Sequence, residues 1–270
     1  MSIEIQISGL MSVYHGSLPD ELRLCLASIY NQTILLDELI IVIDGHIGEE
    51  LEHELARWSH NITLIRLDSN VGLGRALSEG LKACNFEYVM RFDSDDIFYP
   101  LRINTQKDYL KNNPHIDILG TWMEEFRGTP NNVVSIRKVP TSEDVRAFAR
   151  FRNPINHISV IFKKNSIDLV GGYEHILYAE DYYLWLKAIN SGLIIENIPI
   201  ITCAARVSDD MYKRRTGLSY IRTELKLFAL KLSIYDTKDN FLIFCATFLR
   251  ILIRILPGKL ISKIYKYVRQ

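Results

Sequence analysis

Apolar runs alternate with helical patterns over the first 120 residues of this 270-residue chain. Between the runs, apolar residues recur at helical spacing, and Pro19 followed by two acidic residues marks the start of the first helix. Strands that alternate with helices pair in parallel, so the pattern predicts an α/β fold, a mostly parallel, Rossmann-like central sheet with helices on both faces. The strands are predicted at Ile3–Leu10, Leu39–Ile43, Ile62–Leu67 and Phe86–Met90.

The pattern becomes less regular after residue 116. A Thr-x-x-Asp signal starts a predicted helix at Thr141–Phe151, and a second helix is predicted at Glu180–Asn190. Two further helices, over residues 219–235 and 240–268, form a predicted C-terminal helical extension that is interrupted at Pro257-Gly258. Further strands are predicted at Ile116–Thr121, Val133–Val139 and Ile158–Phe162.

Three carboxylates, Asp93, Asp95 and Asp96, follow the predicted strand at Phe86–Met90. Their charges repel, but Mg²⁺ and Mn²⁺ prefer carboxylate and phosphate oxygens, and ligands of open α/β sheets bind at this end of the strands. The cluster therefore predicts a Mn²⁺ or Mg²⁺ site, with Asp95 as first choice of ligand and Asp93 as second. Alternatives are that Asp93 reaches a ribose, that Asp96 replaces either ligand, or that the segment is a polar loop in which Asp96 caps a helix.

Other polar residues follow the earlier predicted strands. Val13 and Tyr14 offer backbone groups and an aromatic face to a nucleobase, and Asp44 offers an acceptor to a uracil N–H or a ribose hydroxyl. Turn chemistry is the alternative for Tyr14 and Asp44. The segment Asn70-Val71-Gly72-Leu73-Gly74-Arg75 opens a helix, where its two glycines permit close approach and Arg75 is placed to pair with a phosphate. It lacks the third glycine of a dinucleotide fingerprint, so NAD binding is not predicted.

Net charge is zero overall but unevenly distributed. Residues 211–270 contain 13 Lys and Arg against 3 Asp and Glu, whereas the whole chain has 32 of each class. The apolar run Phe241–Leu256 is short and carries two arginines, which predicts an amphipathic helix on an anionic membrane surface rather than a membrane span or a nucleic-acid site. The alternative is a helix hairpin that packs on the body or on a homodimer partner. The predicted lipid contacts are Lys259, Lys263, Lys266 and Arg269.

Taken together, these landmarks resemble the family-2 glycosyltransferases, the inverting enzymes of the GT-A fold that use nucleotide-diphosphate sugars. Over residues 3–210 the family's order is kept by Ser12-Val13-Tyr14, Asp44, Asn70-x-Gly72, Asp93-Ser94-Asp95-Asp96, Gly171-Gly172-Tyr173-Glu174 and Glu180-Asp181-Tyr182-Tyr183-Leu184-Trp185. Among its subgroups, the chain looks most like bacterial enzymes that build O-antigen, capsule or exopolysaccharide repeat units on a lipid carrier. Processive members carry a Gln-x-x-Arg-Trp motif, which is absent from this sequence, so transfer of a single sugar is expected.

The resemblance implies a metal-dependent hexosyltransferase. Its GT-A catalytic domain would cover residues 1–210, with a nucleotide-binding half at 1–115 and an acceptor-binding half at 116–210. The implied donor is a UDP-sugar and the implied acceptor is a saccharide on undecaprenyl diphosphate. The four scattered cysteines predict a reduced, cytosolic protein. Together with the basic region at 211–270, this places it on the inner face of a bacterial cell membrane.

A sugar hydroxyl must lose its proton as it attacks, which calls for a carboxylate. Glu180 and Asp181 fit this need, and the resemblance favours Asp181 as the base; the alternative is that both acids cap a helix. His157 and Ser159 match a family segment near the donor sugar or acceptor, although a lone histidine is more often structural. The segment 206–215 is predicted to close over the diphosphate as a mobile loop. Its phosphate partners would be Arg214 and Arg215, unless these form a solvated charge run.

Two other functions share parts of this pattern. A sugar nucleotidyltransferase has a similar nucleotide-binding sheet, but it should show a glycine-rich basic loop after the first strand, which Ser12–Ser17 is not. A non-catalytic nucleotide-sugar-binding subunit needs no base, so the presence of both Asp95 and Asp181 argues against it.

Overall fold

The fold is a nine-stranded mixed sheet with helices packed on its faces, as seen in a computed structural model that describes residues 4–59, 62–208 and 218–255. The strands are β1 Ile7–Tyr14, β2 Glu38–Asp44, β3 Thr63–Leu67, β4 Tyr88–Asp93, β5 Ile97–Phe98, β6 Ile118–Phe126, β7 Val133–Arg137, β8 Ile161–Lys163 and β9 Ile195–Arg206. The helices are α1 Pro19–Tyr30, α2 Glu49–Ala56, α3 Leu73–Ala83, α4 Arg102–Asn112, α5 Val145–Phe148, α6 Lys164–Leu169, α7 Glu180–Asn190, α8 Leu218–Ile234 and α9 Thr237–Ile255.

The strand order is β3-β2-β1-β4-β8-β6-β9-β5, with β7 paired to β6 beside this path. The first four strands of this order are parallel, β8 runs antiparallel to β4 and to β6, and β6 and β9 are parallel. The helices are placed on the two faces because β1 and β2 are apolar on both, which gives two separate hydrophobic clusters. The predicted mostly parallel sheet with helices on both faces is therefore confirmed.

Several predicted boundaries are wrong. β1 runs to Tyr14 rather than ending at Leu10, and the helix predicted at Thr141–Phe151 is a 3-10 turn followed by the short α5. The strand predicted at Ile158–Phe162 begins with another 3-10 turn, at His157–Ser159, and continues as β8.

Strand β9 was not predicted, although it is the longest in the sheet. Pro199 lies within it, and proline is normally found at strand edges or bulges because it cannot donate to the ladder. The pairing with β6 shifts between Thr121, opposite Ile198, and Trp122, opposite Ile201, so a bulge accommodates the proline.

The C-terminal extension begins as predicted, with two helices that form a hairpin. Leu227 and Ile234 of α8 and Ile243 of α9 are buried in the same apolar cluster as α3 and α7. Polar contacts add to this packing: Arg146 donates to the Ile234 carbonyl at 3.0 Å, and Arg250 donates to the Phe151 carbonyl at 2.6 Å. The described part of the extension therefore packs on the rest of the fold, as the alternative prediction had it, while residues 256–270 lie outside the described residues.

Candidate active site

The carboxyl ends of β1, β2 and β4 meet at one edge of the sheet. The strand register pairs Tyr14 with Asp44 and Ser12 with Asp93, so three of the predicted site segments lie side by side. Tyr14 is 38% exposed, which leaves its ring available to a ligand. The Val13 side chain is fully buried, so Val13 can offer only its backbone there.

Asp44 shapes the loop that precedes α3. Its Oδ1 accepts from the Val71 amide at 2.7 Å and its Oδ2 from the Gly72 amide at 3.0 Å. Asn70 donates its side-chain amide to the Asp44 carbonyl at 3.2 Å. Gly72 has a φ of +86°, which an L side chain rarely adopts. Asp44 and Asn70 therefore hold this loop, and their contacts with a nucleotide stay predictions.

Close packing, rather than a phosphate, explains the glycine at position 74. A Cβ atom there would lie 2.2 Å from the Glu174 carbonyl oxygen, so only glycine lets the segment 171–175 approach α3. Arg75, in the next position, is exposed and lines a cavity of about 730 Å³. Leu67, Asp68, Ser69, Val71, Ser78, Glu79, Tyr173, Glu174 and His175 line the rest of it.

The acidic loop after β4 is anchored by buried cations. Arg91 is fully buried and forms an ion pair with Asp93. Below it, Arg102 donates to the Arg91 carbonyl at 2.9 Å, and its guanidinium carbon lies 4.7 Å from the centre of the Phe92 ring. The Cys25 thiol donates to the Asp93 carbonyl at 3.1 Å. The Cys25 thiol therefore fixes the backbone at Asp93, and the buried Arg91 guanidinium pairs with its carboxylate.

Asp95 and Asp96 are costly to ionise in this loop. Burial, and next the charge of Asp93, raises the pKa of Asp95 to about 6. Burial and the charge of Asp95 raise the pKa of Asp96 well above its usual value. Asp96 accepts from the Arg206 amide at 2.8 Å, whereas Ser94 contacts Ser17, their hydroxyl oxygens being 3.3 Å apart. Asp96 is thus turned inward, which leaves Asp93 and Asp95 as the carboxylates available to a cation.

Arg206 is a site residue that the sequence analysis missed. Its Nε donates to the Asp95 carbonyl at 3.2 Å and lies 3.0 Å from Glu21 Oε1. The prediction that 206–215 is one mobile loop is wrong at its first residue, because Arg206 ends β9. Arg214 and Arg215 lie outside the described residues, so their predicted contacts with the diphosphate stay predictions. The apolar residues from Ile195 onward were a signal for this strand.

The donor set of the acidic loop fits a cation that arrives with phosphate. Within residues 4–59, 62–208 and 218–255, no three His, Cys, Asp or Glu side chains stand together as a metal site. Mg²⁺ usually takes one or two carboxylates from the protein and further oxygens from substrate phosphates. Asp93 and Asp95 match that pattern, and a cation would relieve the repulsion that raises the pKa of Asp95.

The predicted base lies at the start of α7. Asp181 Oδ2 accepts from the Asn153 side-chain amide at 2.5 Å, and Oδ1 accepts from the Tyr182 amide at 2.7 Å. The second contact is a helix-terminus interaction, as the capping alternative predicted. Asn153, which orients the carboxylate, was not singled out as a site residue.

Helix α7 begins beside the start of α3, because a Cβ atom at Gly74 would lie 3.3 Å from Glu180 Cβ. Burial, and next the charge of Asp181, raises the pKa of Glu180 to about 8, and the charge of Asp93 raises it further while Arg91 lowers it. The structure therefore brings Asp93, one of the two predicted metal ligands, near the start of α7, where the predicted base lies.

His157 and Ser159 lie beneath this site. Burial lowers the pKa of His157, whose Nε2 is 3.0 Å from the Tyr173 hydroxyl. Ser159 is fully buried, and its hydroxyl is used by the Thr121 backbone and by the Asn156 carbonyl. His157 supports the segment before α7, and Ser159 lies in the core rather than at a surface that a substrate can reach.

Comparison with known proteins decides the family. The model of glycosyl transferase family 2 matches residues 9–170, more than half of the chain. The chain belongs to glycosyl transferase family 2. The predicted GT-A-type α/β fold with a C-terminal helical extension is confirmed, and the family match covers the motifs from Ser12 to Asp96.

Two curated relatives match the glycosyltransferase over nearly all of its length. The amylovoran biosynthesis glycosyltransferase AmsE of Erwinia amylovora is 35% identical over 97% of this chain and 99% of the relative. The UDP-Gal:alpha-D-GlcNAc-diphosphoundecaprenol beta-1,3-galactosyltransferase of Escherichia coli is 37% identical over 97% of this chain and 96% of the relative. Both relatives belong to bacterial polysaccharide or lipid-linked saccharide synthesis by their names.

A solved structure supports the fold alone. Mannosyltransferase PcManGT from Pyrobaculum calidifontis, in complex with GDP-Man and Mn²⁺, superposes with a TM-score of 0.65 at 16% identity. The match covers 89% of this glycosyltransferase and 68% of that chain.

Proposed function

We propose that this glycosyltransferase moves one sugar from a UDP-sugar to a saccharide carried on a lipid diphosphate, with inversion at the anomeric carbon. The observation that carries the proposal is that Glu180 and Asp181 begin α7 beside the start of α3, at the same edge of the sheet where the Asp93–Asp96 loop follows β4. A nucleotide-diphosphate sugar needs a cation on its leaving group and a base for its attacker, and this edge offers carboxylates for both. The name of the Escherichia coli relative supports the UDP-sugar and the lipid-linked acceptor.

The donor would lie across the ends of β1, β2 and β4. Tyr14 offers its exposed ring to the base, and Asp93 and Asp95 would hold Mn²⁺ or Mg²⁺ against the diphosphate. When bound, the cation neutralises the charge that develops on the leaving diphosphate.

The acceptor would be activated from the α7 side. Burial and the charge of Asp181 raise the pKa of Glu180, which favours its protonated form, so we assign the base to Asp181. Asn153 holds one carboxylate oxygen and thereby orients Asp181. The acceptor hydroxyl oxygen attacks the anomeric carbon on the face opposite the diphosphate, its proton passes to Asp181, and the bond to the diphosphate oxygen breaks.

A panel of UDP- and GDP-sugars with Mn²⁺ tests the donor class by protection against thermal unfolding. The stabilising donor is then offered with a synthetic α-GlcNAc-diphospholipid, and the product is identified by mass. We expect one added sugar and release of UDP. Release of inorganic diphosphate from a nucleoside triphosphate and a sugar 1-phosphate would instead identify a sugar nucleotidyltransferase. Donor binding without transfer to any saccharide would identify a binding subunit.

The proposal also places the protein on the membrane that holds its acceptor. No helix in the described ranges is long and apolar enough to cross a membrane. One side of α9 packs on the body, but its other side exposes large apolar side chains at helical spacing, and residues 256–270 add four basic and no acidic side chains. An apolar helix face next to cations is typical of a helix that lies in the lipid interface. The exposed residues are Phe241, Leu242, Phe244, Phe248, Leu249 and Leu252.

We expect the full chain to float with anionic vesicles, less at high salt, and the double substitution Phe241→Gln with Phe248→Gln to weaken flotation. These positions are exposed, so the fold should survive, whereas a truncation after Asn240 would remove the buried Ile243 from the core. The matched control replaces Leu18 and Leu35, exposed apolar residues of the nucleotide-binding half, with Gln. Failure of the wild type to float at low salt would mean that this face binds a second copy or another protein.

A further inference from the structure

The segment before α7 contains a strained tyrosine. Tyr178 has a φ of +61° and is the one non-glycine residue with positive φ in the described part of the chain. For a bulky side chain this conformation is an outlier that persists only where the surroundings enforce it, and such residues cluster at sites that bind ligands. The conformation of Tyr178 therefore has to be enforced by contacts around it, and it points to a functional role for this residue.

The positive φ of Tyr178 arises because the residues on either side of it are fixed in the fold. Ile176 and Ala179 are buried, and the Ala179 amide donates to the Ile176 carbonyl at 3.1 Å. The Thr223 hydroxyl of α8 donates to the Leu177 carbonyl at 3.0 Å. With both sides fixed, the left-handed conformation turns Tyr178 outward, where its side chain is 41% exposed.

The exposed ring is supported from behind. Tyr178 stacks on Tyr220 of α8 with ring centres 6.2 Å apart and an angle of 25° between the planes. Tyr220 is itself buried, at 8% exposure. The pair presents a flat aromatic surface whose orientation is fixed by the hairpin packing. Glu174 and His175, exposed residues of the same segment, offer hydrogen-bonding groups nearby in the chain.

The position of this surface relative to the base suggests its ligand. Tyr178 precedes Asp181 by three residues, so their Cα atoms lie within about 11 Å. The nucleotide edge at β1 and β2 has its own exposed aromatic residue in Tyr14. A pyranose ring has an apolar C–H face, which suits an aromatic plane, and hydroxyls around its rim.

We infer that Tyr178, backed by Tyr220, is the platform on which the acceptor saccharide lies while its hydroxyl faces Asp181. The inference rests on the proposed function and adds to it a residue that selects the acceptor. Loss of the ring should weaken acceptor binding without affecting the donor.

The test separates the ring from the backbone strain. Tyr178→Gly removes the ring but adopts positive φ readily, so the segment should keep its conformation. We expect the KM for α-GlcNAc-diphospholipid to rise about tenfold, equivalent to about 1.4 kcal/mol of lost binding, with the Kd for the UDP-sugar close to that of the wild type. Tyr178→Phe, which keeps the ring, should restore the acceptor KM. Leu169→Ala, at an exposed position of α6, is the control.

The outcomes are distinguishable. An unchanged acceptor KM in Tyr178→Gly, in an assay where the wild type transfers sugar, would overturn the inference and leave the proposed function standing. A weaker UDP-sugar Kd with an unchanged acceptor KM would place the ring at the nucleotide and overturn it as well. No transfer by the wild type to any acceptor would overturn the proposed function and the platform together.

Discussion

Asp95→Asn is expected to abolish sugar transfer while the protein stays folded. The substitution removes one of two carboxylates available to a cation at the end of β4, so the leaving diphosphate would lose its countercharge. Activity should be measured over a Mn²⁺ titration and in excess EDTA. Asp108→Asn, an exposed acid of α4, is the matched control and should behave as the wild type. Undiminished transfer by Asp95→Asn, or by the wild type in EDTA, would show that the loop does not bind a catalytic metal.

The same variant should be more stable than the wild type in the absence of metal. The pKa of Asp95 is raised from 3.8 to about 6 in the folded state, so the folded protein binds more protons than the unfolded chain between these values. The contribution of Asp95 to the free energy of unfolding therefore falls as the pH rises through that window. Asparagine does not ionise, so the variant should not lose this stability. Melting temperatures in EDTA at pH 4 and pH 7.5 check this result. A lower melting temperature for Asp95→Asn at pH 7.5 would point to a structural role for the carboxylate.

Asp181→Asn is expected to retain UDP-sugar binding but to lose about 10²–10⁴-fold in turnover, the range for removal of a general base. Asparagine can still accept from the Asn153 amide or the Tyr182 amide, so the start of α7 should be preserved. Donor binding by thermal shift and turnover by UDP release separate the two effects. Asp168→Asn, outside the site, is the matched control.

The stereochemistry of the product gives an independent check of the same step. A single displacement by an acceptor that Asp181 activates converts an α-linked donor into a β-linked product, which the anomeric coupling in NMR spectra reports. A product with retained configuration would contradict this mechanism even if Asp181→Asn were inactive.

The sequence predicted those parts of the fold that follow from local periodicity. Leu39–Ile43 and Tyr88–Met90 are apolar runs that the parallel sheet buries on both faces, and their strands end together at one edge, as parallel strands require. It failed at β9, because Pro199 within the apolar stretch argues against a strand, and the bulge that accommodates the proline depends on a long-range pairing with β6. Arg206 was assigned to a loop for the same reason, although it is the last residue of β9.

The sequence predicts which residues lie near the site more reliably than it predicts what each side chain does there. Asp93 lies near Glu180 and Asp181, whereas the roles of these residues and of Asp95 stay predictions. Ser159 matched a family segment, yet its hydroxyl forms hydrogen bonds with the carbonyls of Thr121 and Asn156 in the core. A sequence shows that a hydroxyl is present, whereas its partners depend on which strands the fold places around it.

The anchoring of the acidic loop limits how its length can change. β4 pairs with β1 up to Asp93, and β5 begins pairing with β9 at Ile97, so only residues 94–96 connect two strands of one sheet. An inserted or deleted residue there would shift the register of β5 against β9 or pull Asp95 out of the site. The turn between β6 and β7, at residues 127–132, is longer and connects neighbouring antiparallel strands. Variation in length among related chains should therefore accumulate in that turn, with the three-residue link left constant.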